Sequence, residues 1–418
     1  MGYSKNKMTK IEAYLEKRFK IDASYYIRGT FWNTISQAIV LIGGLTTTVI
    51  FARVLSATDY GTYKYIIAAA ALLTSFSLAG LGQSVLQTAA KKYYNFYTET
   101  LSLSLLYGMG ITTVSFVASL YYAYQHNYLL ACGFALIAIT QPLTNTYQNI
   151  FAFLLGSKRL QDATRAQLFN VVTMSVLSIA TILITHDILV LLIVYFVSNF
   201  ITFFLTHLYY RPKNSEPTPP EIYDKFISFA KNTSVRNFIS DVAFRLDTIL
   251  IFTQLGAAEL AIYTIANLLP EQVKGFFKNI GVLLLPKYAE RTNIDSKKGI
   301  IKKSIQLLIF SIFVTISYIL ISPILYLILF PNYQSTVILT QLVSLAIPTM
   351  IAVIPLSILQ SQLKESALYK LNLSNALIAI FLTIILIFPY GLVGVIVARI
   401  LSRYINLMQT YYYLFRSM

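Results

Sequence analysis

The chain has 418 residues, 56% of them hydrophobic and only 12% charged, with a mean hydropathy of +0.63. A soluble domain is about 25% charged, so a water-exposed surface cannot be covered here and the chain reads as an integral membrane protein. The net charge of +16 falls in short segments between apolar runs, which turns the reading away from a nucleic-acid partner. Cys132 is alone in an apolar run, and His126, His186 and His207 lie far apart near the ends of apolar stretches. Neither a disulfide framework nor a metal site is expected.

Residues 1–27 read as a cytoplasmic basic arm. Ile11, Tyr14, Leu15 and Phe19 recur at helical spacing among Lys10, Lys17, Arg18 and Lys20, the pattern of an interfacial helix on anionic lipid. No short apolar core with a small-residue cleavage site follows, so no cleaved signal peptide is expected. A bilayer-spanning helix needs about 20 mostly apolar residues. On that basis the sequence predicts twelve transmembrane helices, at about 29–52, 64–87, 100–122, 128–154, 167–185, 188–208, 229–254, 260–285, 304–330, 335–360, 371–389 and 391–413.

The first two spans meet at Leu55-Ser56-Ala57-Thr58-Asp59, with Tyr63 beyond. The pattern returns 200 residues later as Leu255-Gly256-Ala257-Ala258-Glu259 with Tyr263. Pro142 and Lys158 are likewise matched by Pro348 and Lys364. An internal repeat sets the architecture. The fold class expected is an all-α polytopic membrane protein with two six-helix lobes, 28–210 and 227–418. Six spans per lobe relates the lobes by an axis along the membrane normal. The Pro-rich segment 211–226 is the expected cytoplasmic linker. With the N-terminus inside, most of the 33 Lys and Arg residues fall on the inside and only Arg53 and Lys64 on the outside. Both termini are therefore expected in the cytoplasm.

Charged residues within spans are costly and mark cavities or partners. The seventh span carries Arg236, Asp241, Arg245 and Asp247. At 100° per residue Arg236 and Asp247 share one face, and Asp241 and Arg245 the opposite one. The eighth carries Glu271, Lys274 and Lys278 on one stripe, and the twelfth carries Arg399 and Arg403 one turn apart, with Asn406 continuing the line. The fourth adds the neutral run Gln141, Thr144, Asn145, Gln148 and Asn149. Six cations against three anions predict a positive cavity between the lobes that favours anionic ligands such as phosphates or acidic sugars, and Arg suits phosphate because its planar fork binds oxygens in pairs. Two readings stay open for Asp241–Arg245 and Glu271–Lys274: a ligand site, or ion pairs that hold helices together. Arg236 and Lys278 also suit snorkelling toward the cytoplasmic interface. Arg399 and Arg403 have no acid nearby on their own helix, which favours a ligand. Asp59 and Glu259, at the outer ends of the repeat with Arg53, suit helix capping or coupling.

No enzyme is expected. The outside loops are short, as at His186-Asp187 and Pro331 to Gln334, and no Gly-rich phosphate loop is present.

The segments Arg28-Gly29-Thr30-Phe31-Trp32-Asn33-Thr34, Phe51-Ala52-Arg53-Val54-Leu55-Ser56 and Asp59-Tyr60-Gly61-Thr62-Tyr63 resemble the first two spans of polysaccharide-repeat flippases, the Wzx-type O-antigen and capsule translocases. Ala266-Asn267-Leu268-Leu269-Pro270 and Leu285-Pro286-Lys287 resemble their eighth. The wider superfamily, the multidrug/oligosaccharidyl-lipid/polysaccharide (MOP) exporters, includes lipid II flippases and drug extruders. Lipid II flippases resemble fourteen-span chains with an Arg five residues before the proline of span eight, where this chain has Ile265. The resemblance implies alternating access in a bacterial inner membrane. It implies transfer of a polyprenyl-diphosphate-linked oligosaccharide from the inner to the outer leaflet, near polysaccharide polymerase and assembly proteins. Its diphosphate would meet Arg236, Arg245, Lys274, Lys278, Arg399 and Arg403. Asp241, Asp247 and Glu271 would balance that charge, and Asp241 or Glu271 would couple transport to a proton or sodium gradient. No other cofactor is implied. The alternatives are an ion-coupled drug or metabolite antiporter and a scaffold in a glycan-assembly complex.

Overall fold

The computed structural model describes residues 23–213, 216–289, 297–362 and 364–417, with side chains described over 37–213, 216–275, 299–362, 364 and 366–416. These residues form an all-helical membrane protein, with no strand among them. Most of the expected arm at 1–27 lies outside the described residues.

Apolar runs form the helices and polar residues cap them. α1 (Ala23–Val54) leads into α2 (Ala57–Leu73) through Ser56. The Ser56 Oγ accepts from the Asp59 N–H at 3.1 Å and donates to Asp59 Oδ2 at 2.7 Å, so Asp59 completes a helix cap. Beyond a 3₁₀ turn at Thr74–Phe76 comes α3 (Leu81–Ala90), bent 64° from α2. Next are α4 (Phe96–Glu99), α5 (Leu101–Tyr124), α6 (Tyr128–Gln148), α7 (Ile150–Gly156), α8 (Leu160–Thr185) and α9 (Ile188–Tyr210). Asn127 and Asp187 cap α6 and α9 by accepting from the N–H groups of Leu130 and Leu189. The second half holds α10 (Pro220–Gln254), α11 (Ala257–Ala289), α12 (Lys297–Leu329), α13 (Val337–Ser344), α14 (Val353–Ser361) and α15 (Glu365–Ser417). A 3₁₀ turn at Ile347–Ala352, which holds Pro348, separates α13 from α14.

Among the described residues, eight helices or helix runs are long and apolar enough to cross a membrane, nine when the bent pair α2 and α3 is one span. Twelve were expected, and the difference falls at α15 and at α10 and α11. α15 enters the count once, although Gly391 has φ +54° and the chain doubles back there. A Cβ on Gly394 would lie 1.9 Å from the Leu386 carbonyl oxygen, and Ser374 donates to Gln409 at 2.9 Å across the hairpin. α10 and α11 are long enough but carry too many charged side chains. The expected second span, 64–87, begins instead at Ala57, so Lys64 sits inside a helix rather than in an outside loop.

Large apolar side chains such as Phe116, Ile184, Phe313, Leu320 and Phe388 are exposed around the bundle, as a lipid-facing surface requires. Inside, one apolar cluster runs from Phe51, Tyr60 and Ile66 in the first half to Ile251, Leu260, Tyr326 and Ile396 in the second. α2 packs against both α10 and α11, and α3 against the first half of α10. The two copies of the repeat meet here, with Gly61 of α2 lying against the Ala257 backbone at the start of α11. Tyr65 stacks on Phe252 at 3.8 Å. Arg53, at the end of α1, donates to the carbonyls of Ile328 and Leu329 at the end of α12, the latter at 3.3 Å. Further along, the Gly80 N–H donates to Ser234 Oγ at 2.8 Å and Ser84 Oγ donates to the Phe226 carbonyl at 2.9 Å.

Candidate functional site

Three helices of the second half bring the costly charges together. α10 supplies Asp247, α11 supplies Tyr263, Glu271 and Lys274, and the second limb of α15 supplies Arg399 and Arg403. The Gly391 reversal makes this meeting geometrically available, because it returns the chain alongside α10 and α11. Arg399 Nη1 donates to Asp247 Oδ2 at 2.7 Å and to the Tyr263 hydroxyl at 2.5 Å, and Tyr263 in turn donates to Asp247 Oδ2. Arg403 Nη2 donates to Glu271 Oε1 at 2.6 Å. Arg399 Nη2 lies 3.7 Å from the same oxygen, and Lys274 Nζ 3.7 Å from Glu271 Oε2. Charges in so dry a setting require this degree of mutual satisfaction.

Arg399, Arg403, Asp247 and Asp241 line a cavity of about 460 Å³. Amides and hydroxyls complete its polar wall: Asn237 and Ser240 from α10, and Asn372, Asn375, Thr383 and Ser402 from α15. All of its lining residues belong to the second half, whereas the expected cavity lay between the lobes. It spans residues 237 to 247 over almost half the circumference of α10. Asp241 and Asp247, expected on opposite faces, therefore share it.

The other expected site residues lie elsewhere. Arg236 is exposed and bonded to Thr233 at 3.2 Å, and it is not among the residues lining the cavity. Arg245 is not among the residues lining the cavity, although its guanidinium lies 5.7 Å from the ring of Phe244, which does line it. Among the described residues no ion pair joins it to Asp241, one turn away, while Glu271–Lys274 does pair. The Lys278 side chain lies outside the described residues. Arg399 and Arg403, expected to await a ligand, have acids after all, supplied by α10 and α11. In the first half, Asn145 Oδ1 accepts from Gln141 at 3.4 Å and Gln148 at 3.2 Å, so part of that polar run satisfies itself along α6. His207, in the last turn of α9, is buried and bonds the Tyr97 hydroxyl at 2.7 Å.

Sequence reasoning missed Tyr263 as a ligand of Arg399, although it is a repeat position. It also missed Asn372 and Asn375, whose i,i+3 spacing in an apolar span was the available signal.

No curated protein sequence matches the chain. Among solved structures, the lipid II flippase MurJ in an inward closed conformation is similar at a TM-score of 0.69 and 13% identity, over 91% of this chain and 86% of that one. An inward-facing multidrug resistance MATE transporter of the MOP superfamily is similar at 0.66 and 13%, over 90% and 94%. An outward-facing MATE transporter gives 0.61 and 13%, over 94% and 95%. At such identities the likeness is one of fold, and the fold is like that of MurJ and the MATE transporters. The polysaccharide biosynthesis protein family matches over residues 26–286, well over half of the sequence, and the chain belongs to that family.

Proposed function

We propose that the chain is a Wzx-type flippase. It moves a polyprenyl-diphosphate-linked oligosaccharide from the inner to the outer leaflet of a bacterial inner membrane by alternating access. Membership of the polysaccharide biosynthesis family carries this reading, and the cavity supports it. Arg399 and Arg403 provide planar forks for phosphate oxygens, while Asn237, Asn372, Asn375, Ser240 and Ser402 provide the neutral donors and acceptors that sugar hydroxyls need. We read twelve spans, with α10, α11 and each limb of α15 as one span apiece. Both termini then face the cytoplasm, and the linker at 211–226 joins two six-helix lobes, 28–210 and 227–418. The Gly61–Ala257 and Arg53–Leu329 contacts lie at the outer end, where alternation must break them.

The assembled site is less basic than the residue count suggests. Arg399, Arg403 and Lys274 face Asp247 and Glu271, and Asp241 on the cavity wall lies in the field of Arg245. Asp241 has no ion-pair partner among the described residues, which makes it the better of the two carboxylates to bind a proton or sodium ion and couple transport to its gradient. The same charge balance, with the shared fold, favours an ion-coupled drug or metabolite antiporter as the second reading.

Reconstitution separates the two. Vesicles containing the chain and a fluorescent polyprenyl-diphosphate sugar should expose inner-leaflet label to an external impermeant quencher faster than empty vesicles. Movement of cationic dye with no movement of the lipid-linked sugar would establish the antiporter instead.

A further inference from the structure

Glu271 is the shared member of the charge network. Arg403 at 2.6 Å, Arg399 at 3.7 Å and Lys274 at 3.7 Å all converge on its one carboxylate. Its side chain is 34% exposed, more than Arg399 at 23%, Arg403 at 19% or Lys274 at 17%. Asp247 is held differently. It is 13% exposed, and both Arg399 and the Tyr263 hydroxyl are bonded to it. One carboxylate is therefore locked by a neutral hydroxyl and a cation, and the other is the more accessible focus of three cations.

We propose that Glu271 is an exchangeable counter-ion. It holds the place that the anionic group of the substrate takes, and the substrate displaces it. This deepens the flippase reading and rests on its premise that the cargo is a diphosphate. A carboxylate and a phosphate present the same paired oxygens to a guanidinium. Both arginines line the cavity, so a phosphate that enters it meets both. A diphosphate carries more negative charge than Glu271 and wins the exchange. A glycan without phosphate does not, so Glu271 screens cargo by charge. If Glu271 stayed in place, its like charge would oppose the incoming phosphate. Its departure also severs the ionic tie between α11 and α15, leaving the Asp247–Arg399 tie between α10 and α15. α11 is the helix whose first turn meets Gly61 across the interface. Exchange thus loosens the element that must move if the halves are to part, leaving it held to α15 by the Tyr263–Arg399 hydrogen bond.

The test is binding of inorganic pyrophosphate to the purified full chain in detergent, by calorimetry, with thermal melting of every variant. Wild type should bind, Arg399→Ala/Arg403→Ala should not, and Glu271→Gln should bind about tenfold more tightly because the resident competitor is gone. Asp247→Asn should show no such gain, because it loosens Arg399. If Glu271→Gln does not fold, Glu271→Asp retains the charge one methylene further back and should bind a few-fold more tightly. Wild-type binding with equal or weaker binding by folded Glu271→Gln or Glu271→Asp would overturn the exchange and leave the arginine site standing. Binding unchanged in the double arginine variant would overturn the placement. Folded wild type that binds no pyrophosphate in any variant would overturn both the exchange and the diphosphate premise.

Discussion

A Cβ built on Gly61 would lie 1.7 Å from the carbonyl oxygen of Ala257, so the two copies of the repeated motif touch backbone to backbone. The obstacle is main chain and cannot rotate away. Gly61→Ala should therefore prise α2 from α11 at their first turns. Cysteines placed at 65 and 252, where the native rings stack at 3.8 Å, should be bridged by a short bifunctional reagent in the Gly61 protein. Bridging should be several-fold less in Gly61→Ala. Equal bridging would show that the contact is not maintained in the membrane.

Arg399 ties α15 to α10. Arg399→Met leaves Asp247 unpaired in a dry site and should lower stability by about 3–5 kcal/mol. Arg399→Met/Asp247→Asn should recover much of that loss, because no lone charge remains. Transport should stay lost in both. Thermal melting in detergent checks the first pair of statements and a vesicle flipping assay the last. Recovery of transport in the double variant would make Arg399 structural alone.

Arg53 bonds the last carbonyls of α12, and Asn332 Nδ2 returns toward the carbonyls of Ala52 and Arg53 at 3.5 and 3.4 Å. Arg53→Ala should destabilise this closure by about 1 kcal/mol, given charge-assisted bonding at a solvent-screened position. Faster labelling of a cysteine placed at Ile328 is the expected readout. Unchanged labelling would mean the latch contributes nothing.

Arg236 and Arg403 looked alike in sequence and differ in place. Arg236→Ala, at an exposed position bonded to Thr233, should change stability by no more than about 0.5 kcal/mol and leave flipping within about twofold. Arg403→Ala should abolish flipping. Similar losses in both variants would mean that the cavity boundary is drawn wrongly.

These residues show how far the chain could be read unaided. The repeated motif lies at the starts of α2 and α11, Ala57 and Ala257, although the expected spans began later, at about 64 and 260. The boundary between the expected spans 371–389 and 391–413 falls at the Gly391 turn within α15. Arg399 and Arg403 stood out because a charge in a span needs a reason. Their partners did not, since Asp247 and Glu271 lie 152 and 132 residues away and only the fold joins them. Periodicity fixes an angle around a helix axis but not which neighbour stands there. Arg236 and Arg245 were drawn into the site for that reason, while Tyr263, Asn372 and Asn375 were left out of it. The bends at 74–80 and near Pro348 also escaped, because apolar composition runs through them unbroken.

The central claim is that this chain carries lipid-linked oligosaccharide across the membrane through the Arg399–Arg403 cavity. The most direct measurement is the sidedness of that lipid in cells lacking the chain, read with a sugar-cleaving enzyme added from outside. The account predicts that the oligosaccharide is protected in those cells. Cleavage should return with the wild-type chain and with Arg236→Ala, but not with Arg399→Ala/Arg403→Ala. Full cleavage in cells without the chain would contradict it.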